Sequence, residues 1–121
     1  MKKFLFLDYW TLERVTGFTR KLYPAVKSTH NPVFVPDQRS YEFNHCGYTT
    51  VLLNPGEGLF KMWYGTSNLY TSETPAVKYL CYAESTDGYQ WKRPNLDVVE
   101  GTNIVMDKPE NAMGASVLFD P

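Results

Sequence analysis

Apolar and polar residues alternate most clearly between Tyr48 and Arg93, where four short strand-like runs are separated by turn-forming residues. Successive side chains of a strand point to opposite faces, so such runs, bounded by Gly, Pro, Asn or Asp, predict strands. The first covers residues 48–54 and turns at Asn54-Pro-Gly-Glu-Gly58. The second covers 59–65 and places Phe60, Met62 and Tyr64 on one face with Trp63 on the other. A polar connection from Thr66 to Pro75 leads to the third, 77–85, in which Leu80 and Tyr82 oppose Tyr79 and Cys81. Asp87-Gly88 supplies a tight reversal, and the fourth run, 89–93, is closed by Pro94. The result is a meander rich in apolar residues on both faces, and such a sheet expects cover on both sides.

The chain also repeats itself. Thr50-Val-Leu-Leu-Asn-Pro55 and Ser116-Val-Leu-Phe-Asp-Pro121 share a small hydroxyl residue, three apolar residues, Asn or Asp, and Pro. A four-stranded unit followed by the opening strand of another is the sequence pattern of a β-propeller. The predicted fold class is therefore all-β: one four-stranded antiparallel blade (48–54, 59–65, 77–85, 89–93), an N-terminal arm and the first strand of a second blade. The chain divides into an N-terminal arm and lead-in loop (1–47), a first blade (48–94) and a crossover into the second (95–121), with 103–106 an extra short strand. In the arm, 4–7 and 33–35 read as short strands and 8–29 as irregular. If those two strands paired, they would instead give a self-contained β-sandwich.

Composition agrees with β structure: aromatic residues make up 16% of the chain, with eight Gly and eight Pro. A net charge of −1 and dispersed basic residues point to no nucleic-acid partner and no membrane partner. Lys2-Lys3 before Phe-Leu-Phe-Leu imitates a signal peptide, but Asp8 interrupts the apolar run too early. A cytoplasmic location is the expectation. Cys46 and Cys81 lack CxxC spacing, and His30 and His45 form no ligand pattern, so no metal and no cofactor are implied. Gly-x-Ser-x-Gly and phosphate-binding Gly loops are missing from the sequence.

Phe60-Lys-Met-Trp-Tyr-Gly65 and Tyr79-Leu-Cys-Tyr-Ala-Glu-Ser-Thr-Asp-Gly-Tyr-Gln-Trp-Lys-Arg-Pro-Asn-Leu96 resemble the first blade of five-bladed β-propeller proteins of the glycoside-hydrolase type. That superfamily contains β-fructosidases, arabinanases and xylosidases. Phe4-Leu-Phe-Leu-Asp8, Asn31-Pro-Val33 and Asn103-Ile-Val105 look like other parts of the same N-terminal portion. The Ser85–Trp91 element is the most specific piece, and it marks a blade turn without doing chemistry.

The resemblance implies a carbohydrate partner, an oligosaccharide or glycoside, and axial carboxylates from successive blades. Glycoside hydrolysis uses two carboxyl groups across the scissile bond. The first-blade candidates are Asp37 and Glu42, between which the sequence does not choose. Asp107 and Glu110 precede the second copy of the first strand, with Glu110 a substrate-binding candidate. Any single loop acid is by default a solvated one. Tyr41, Tyr48 and Tyr70 are candidates for stacking on a sugar, whereas Trp63, Tyr64 and Trp91 read as core. The third-blade acid lies outside these 121 residues, so the isolated chain is expected to be inactive. The alternative is a noncatalytic carbohydrate-binding or self-assembling β module, associating through exposed sheet edges.

Overall fold

The structure, a computed structural model, describes residues 13–14, 16–19, 21–106 and 114–120. Three strands form one open antiparallel sheet in the order β1 (Cys46–Asn54), β2 (Leu59–Ser67), β3 (Lys78–Ser85). No helix occurs among the described residues, and so none is long and apolar enough to cross a membrane. The expected strand at 4–7 and the acids Asp107 and Glu110 lie outside the described residues.

Local chemistry explains the turns. Asn54 receives the Gly56 amide on its side chain (3.1 Å) and the Glu57 amide on its carbonyl (3.3 Å). Gly58 follows at φ +63°, a conformation glycine adopts without steric cost. Asn68 closes the β2–β3 connection: its side chain accepts from Val77 N–H at 2.7 Å and donates to the Pro75 carbonyl at 3.2 Å. Both strands of the first hairpin run longer than the pattern predicts, because Cys46 and Gly47 pair with Thr66 and Gly65. The register slips between Gly47 and Thr50, and Tyr48 sits there at φ +50°. A bulky residue in the left-handed region is strained by about 1–2 kcal/mol. Tyr48→Gly is therefore expected to stabilise the fold by about 1 kcal/mol net of glycine's extra unfolded-state freedom. A denaturant midpoint that falls instead would show that the Tyr48 side chain compensates for its backbone.

The predicted fourth strand, 89–93, is not a strand, and this corrects the four-stranded reading. Asp87 Oδ1 takes the Tyr89 and Gln90 amides at 2.8 Å each, so these donors cannot join a ladder. Pro94 offers no donor at all. What remains is one bridge, Glu84 to Lys92. Farther along β3, its outer edge is covered by a second piece: Tyr82 N–H donates to the Asn103 carbonyl and Val105 N–H to the Leu80 carbonyl. The place of one continuous fourth strand is thus shared between Lys92 and residues 103–105. Residues 33–35 are not a strand either: Phe34 packs on the core while the Val35 carbonyl accepts from Arg93 Nη2 at 2.6 Å. Residues 114–120 join no ladder and touch β1 through Val117 N–H on Thr50 Oγ1 at 3.3 Å.

The core lies on one face of the sheet. Met62, Tyr64, Cys81 and Ala83 come from β2 and β3, and Tyr41 and Ile104 close over them. Fully burying a side chain such as Met62 contributes about 1.5–3 kcal/mol. The opposite face carries Trp63 against Tyr82, with ring centroids 5.4 Å apart.

Candidate functional site

The lead-in turn, residues 37–42, is fastened to the sheet by a buried polar cluster. Its backbone closes on itself, with Glu42 N–H donating to the Arg39 carbonyl at 3.0 Å. The Glu42 side chain then points inward and is completely buried. A carboxylate at that depth is costly unless charge and hydrogen bonds compensate it.

Both requirements are met. Arg93 Nε lies 3.0 Å from each Glu42 oxygen, and Nη2 adds a second contact to Oε1. Tyr64 O–H donates to Oε2 at 2.7 Å, and the Asp37 backbone N–H donates to Oε1 at 3.1 Å. The Arg93 guanidinium lies over the Phe34 ring, 4.1 Å from its centroid, within reach of cation–π attraction. Burial alone would lower the pKa of Arg93, but the bonds and charge of Glu42 and Tyr64 outweigh it and hold the group above its usual range. Burial, reinforced by Glu42, pushes the Tyr64 hydroxyl up, so it acts as a donor and not as an acid.

A second centre joins this one through Tyr64. Asn103, also fully buried, donates from Nδ2 to Tyr64 Oη at 2.8 Å and to the Tyr82 carbonyl at 2.6 Å. Its Oδ1 accepts from Tyr41 O–H at 2.8 Å. Tyr41 in turn accepts from Arg39 Nη1 at 3.0 Å, and Arg39 Nε bonds Asp37 Oδ2 at 2.6 Å. The chain of contacts therefore runs from a buried ion pair to a carboxylate at the surface.

The candidate residues separate accordingly. Asp37 and Glu42 share one turn, but only the Asp37 carboxylate is exposed, paired with Arg39. Glu42 is an anchor with both oxygens engaged. Tyr41 is buried, its ring against Tyr79 and its hydroxyl bonded at both ends, so it presents no stacking face to solvent. Tyr48 and Tyr70 are exposed. Tyr64 belongs to the buried core, and Trp91 packs half-buried against it. Arg93 and Asn103 were not singled out by the pattern of the chain. Arg93 stands 51 residues from Glu42, and no local spacing links the two.

Cys46 and Cys81 are both free thiols beside this cluster, Cys46 Sγ lying 3.5 Å from Glu42 Oε1. Burial, with the Glu42 charge next, pushes each thiol up to about 12. A protonated thiol is a poor nucleophile, so both cysteines should react with a thiol reagent at pH 8 far more slowly in the folded chain than in the unfolded one. The same shifts set an alkaline limit. Below the ordinary thiol pKa, both states are protonated; above it, the unfolded chain loses protons first, so stability falls as pH rises from about 9 towards 12. Denaturant midpoints that stay level across that window would contradict the upward shift of both thiols.

Among the described residues, no three His, Cys, Asp or Glu side chains converge as metal ligands. Clefts among the described residues include a polar one of about 240 Å³ at Glu84–Asp87, an apolar groove of about 480 Å³ beside Val51, Phe60 and Trp91 that Phe34 and Cys46 also line, and one of about 350 Å³ at Leu52, Trp63 and Phe119. Comparison of the chain with protein-family models, with curated proteins and with solved structures gives no match in any of the three.

Proposed function

We propose that the chain forms the first blade and the opening of the second blade of a five-bladed propeller of the glycoside-hydrolase type, acting on or binding glycosidic linkages. The reading is supported by the three-stranded meander, by the partly filled fourth position along β3, and by the repeat of the β1 sequence at 116–121. The observation that carries the site is the Asp37 carboxylate, exposed on a turn that a buried ion pair holds against the sheet. In this reading Asp37 is the first-blade carboxylate, and Glu42 with Arg93 positions the turn that bears it.

The full engagement of Glu42 also favours a second reading, noncatalytic sugar binding. A carboxylate held by Arg93, Tyr64, the Asp37 amide and the Cys46 thiol is not free to take a proton or activate a water, and hydrolysis needs a second carboxyl group besides Asp37. Both readings make the isolated 121-residue chain inactive, and a test of binding covers both. Oligosaccharides of fructose, arabinose and xylose would be titrated against the intrinsic Trp fluorescence, with release of p-nitrophenol from the matching aryl glycosides measured in parallel. The expected result is binding without turnover, weakened at least tenfold by Asp37→Asn. Binding unchanged by that substitution removes Asp37 from the site, and no binding of any of these sugars removes the carbohydrate reading.

A further inference from the structure

The two faces of the sheet differ in what they leave open. On the core face, β1 contributes Val51 and Leu53, which are 47% and 53% exposed although they sit beside Met62 and Phe60 in the ladder. The 480 Å³ apolar groove lies next to Val51. On the opposite face, Leu52, Trp63 and Tyr82 are only half-buried, and segment 114–120 gives Leu52 and Trp63 part of their cover. That cover is thin. Val117 reaches Thr50 through one backbone hydrogen bond, Phe119 lines the 350 Å³ cleft with Leu52 and Trp63, and Leu118 and Phe119 remain 78% and 79% exposed.

The segment that lies there repeats the sequence of β1. Val117 and Phe119 occupy the positions in Ser116–Pro121 that Val51 and Leu53 occupy in Thr50–Pro55. The Leu52/Trp63 face thus already holds a segment with the β1 sequence pattern, and the side chains that β1 exposes on its other face stand at the matching positions of that pattern. We propose that the two faces are the two halves of one head-to-tail joint: the Val51/Leu53 side of one copy of this chain seats on the Leu52/Trp63/Tyr82 side of a second copy, displacing its segment 114–120. Unlike patches meet in such a contact, so it is heterologous and leads to rings or open arrays, not to a closed twofold dimer. The joint follows from the sheet and the repeated segment and does not rest on the glycosidic reading.

Light scattering on the full chain at increasing concentration tests it, beside near-UV circular dichroism to confirm folding. The expected result is a mass that rises to at least twice that of one copy. Val51→Lys spoils one half of the joint and Trp63→Lys the other, so each variant alone should remain monomeric. Mixed in equal amounts, they should form a dimer and nothing larger, because Val51→Lys retains an intact seat and Trp63→Lys an intact insert. That recovery also shows that both variants fold. Phe119→Asp, which loosens the resident segment, should increase association at least threefold. A native chain that stays monomeric at every concentration overturns the joint. So does a mixture of the two variants that remains monomeric while both are folded, or an association that neither lysine disturbs.

Discussion

Replacing Arg93 with Ala is expected to destabilise the fold by about 3–5 kcal/mol, the range for stripping one partner from a buried ion pair. Total stabilities of small domains are about 5–15 kcal/mol, so the variant should unfold at low denaturant or show no cooperative transition. The cost arises from what is left behind. Glu42 has no exposed surface, and without Arg93 its charge keeps only the Tyr64 hydroxyl, the Asp37 amide and the Cys46 thiol. The Val35 carbonyl loses its donor and Phe34 loses the cation over its ring. Arg93→Lys should recover only part of the loss, since an ammonium cannot span both Glu42 oxygens and Val35 as the planar guanidinium does. Glu42→Gln, which keeps the shape and removes the charge, strands the guanidinium in the same way. The cost of Arg93→Ala and Glu42→Gln together should fall short of the sum of the two by about 1–3 kcal/mol. Costs that simply add would mean that the two groups act independently, and the anchor for the Asp37 turn would have to be sought elsewhere.

The parts of this fold that were legible in the sequence are those set by neighbours in the chain. Alternation identified β1, β2 and β3, and their pairing puts Met62 and Tyr64 on one face and Trp63 on the other as the pattern requires. The Ser85–Gly88 turn was legible for the same reason: Ser85 Oγ accepts from the Asp87 and Gly88 amides at 3.2 and 2.9 Å, all within four residues. The fourth strand was misread because the same turn continues to draw on the chain after it reverses, and apolar spacing at Tyr89 and Trp91 carries no sign of that. The buried cluster was illegible for a different reason. Glu42 in a polar loop, Arg93 before a proline and Asn103 before a short apolar run each look like solvated residues. Only the fold brings them together, across 51 residues between Glu42 and Arg93, and 62 between Asn103 and its partner Tyr41. A hydroxyl such as that of Tyr41 cannot be recognised as a buried donor until its acceptor is known.

Asn103 tests whether that cluster works as one unit. Asn103→Leu, close to the native side chain in size, should cost about 2–4 kcal/mol, because the Tyr82 carbonyl would lose the side-chain donor and the Tyr41 O–H its acceptor, keeping only the bond from Arg39. Asn103→Asp makes the sharper test. It replaces the Nδ2 donor, 2.6 Å from the Tyr82 carbonyl oxygen, with a second acceptor. Two oxygens at that separation are tolerable only if one carries a proton, so the introduced carboxyl should have a folded-state pKa above its unfolded value of about 3.9. The sign follows from linkage: both states bind the proton at low pH, and as pH rises the unfolded chain releases it first. The variant should therefore approach the native stability below about pH 4 and lose ground steadily as pH climbs through the folded-state value. The native chain has no carboxyl at this position and should not share that loss. If Asn103→Asp instead tracks the native profile from pH 3 to 7, residue 103 does not hold the Tyr82 carbonyl. The link from β3 through Tyr64 to the lead-in turn would then be broken at its centre, and Glu42 with Arg93 would have to position Asp37 alone.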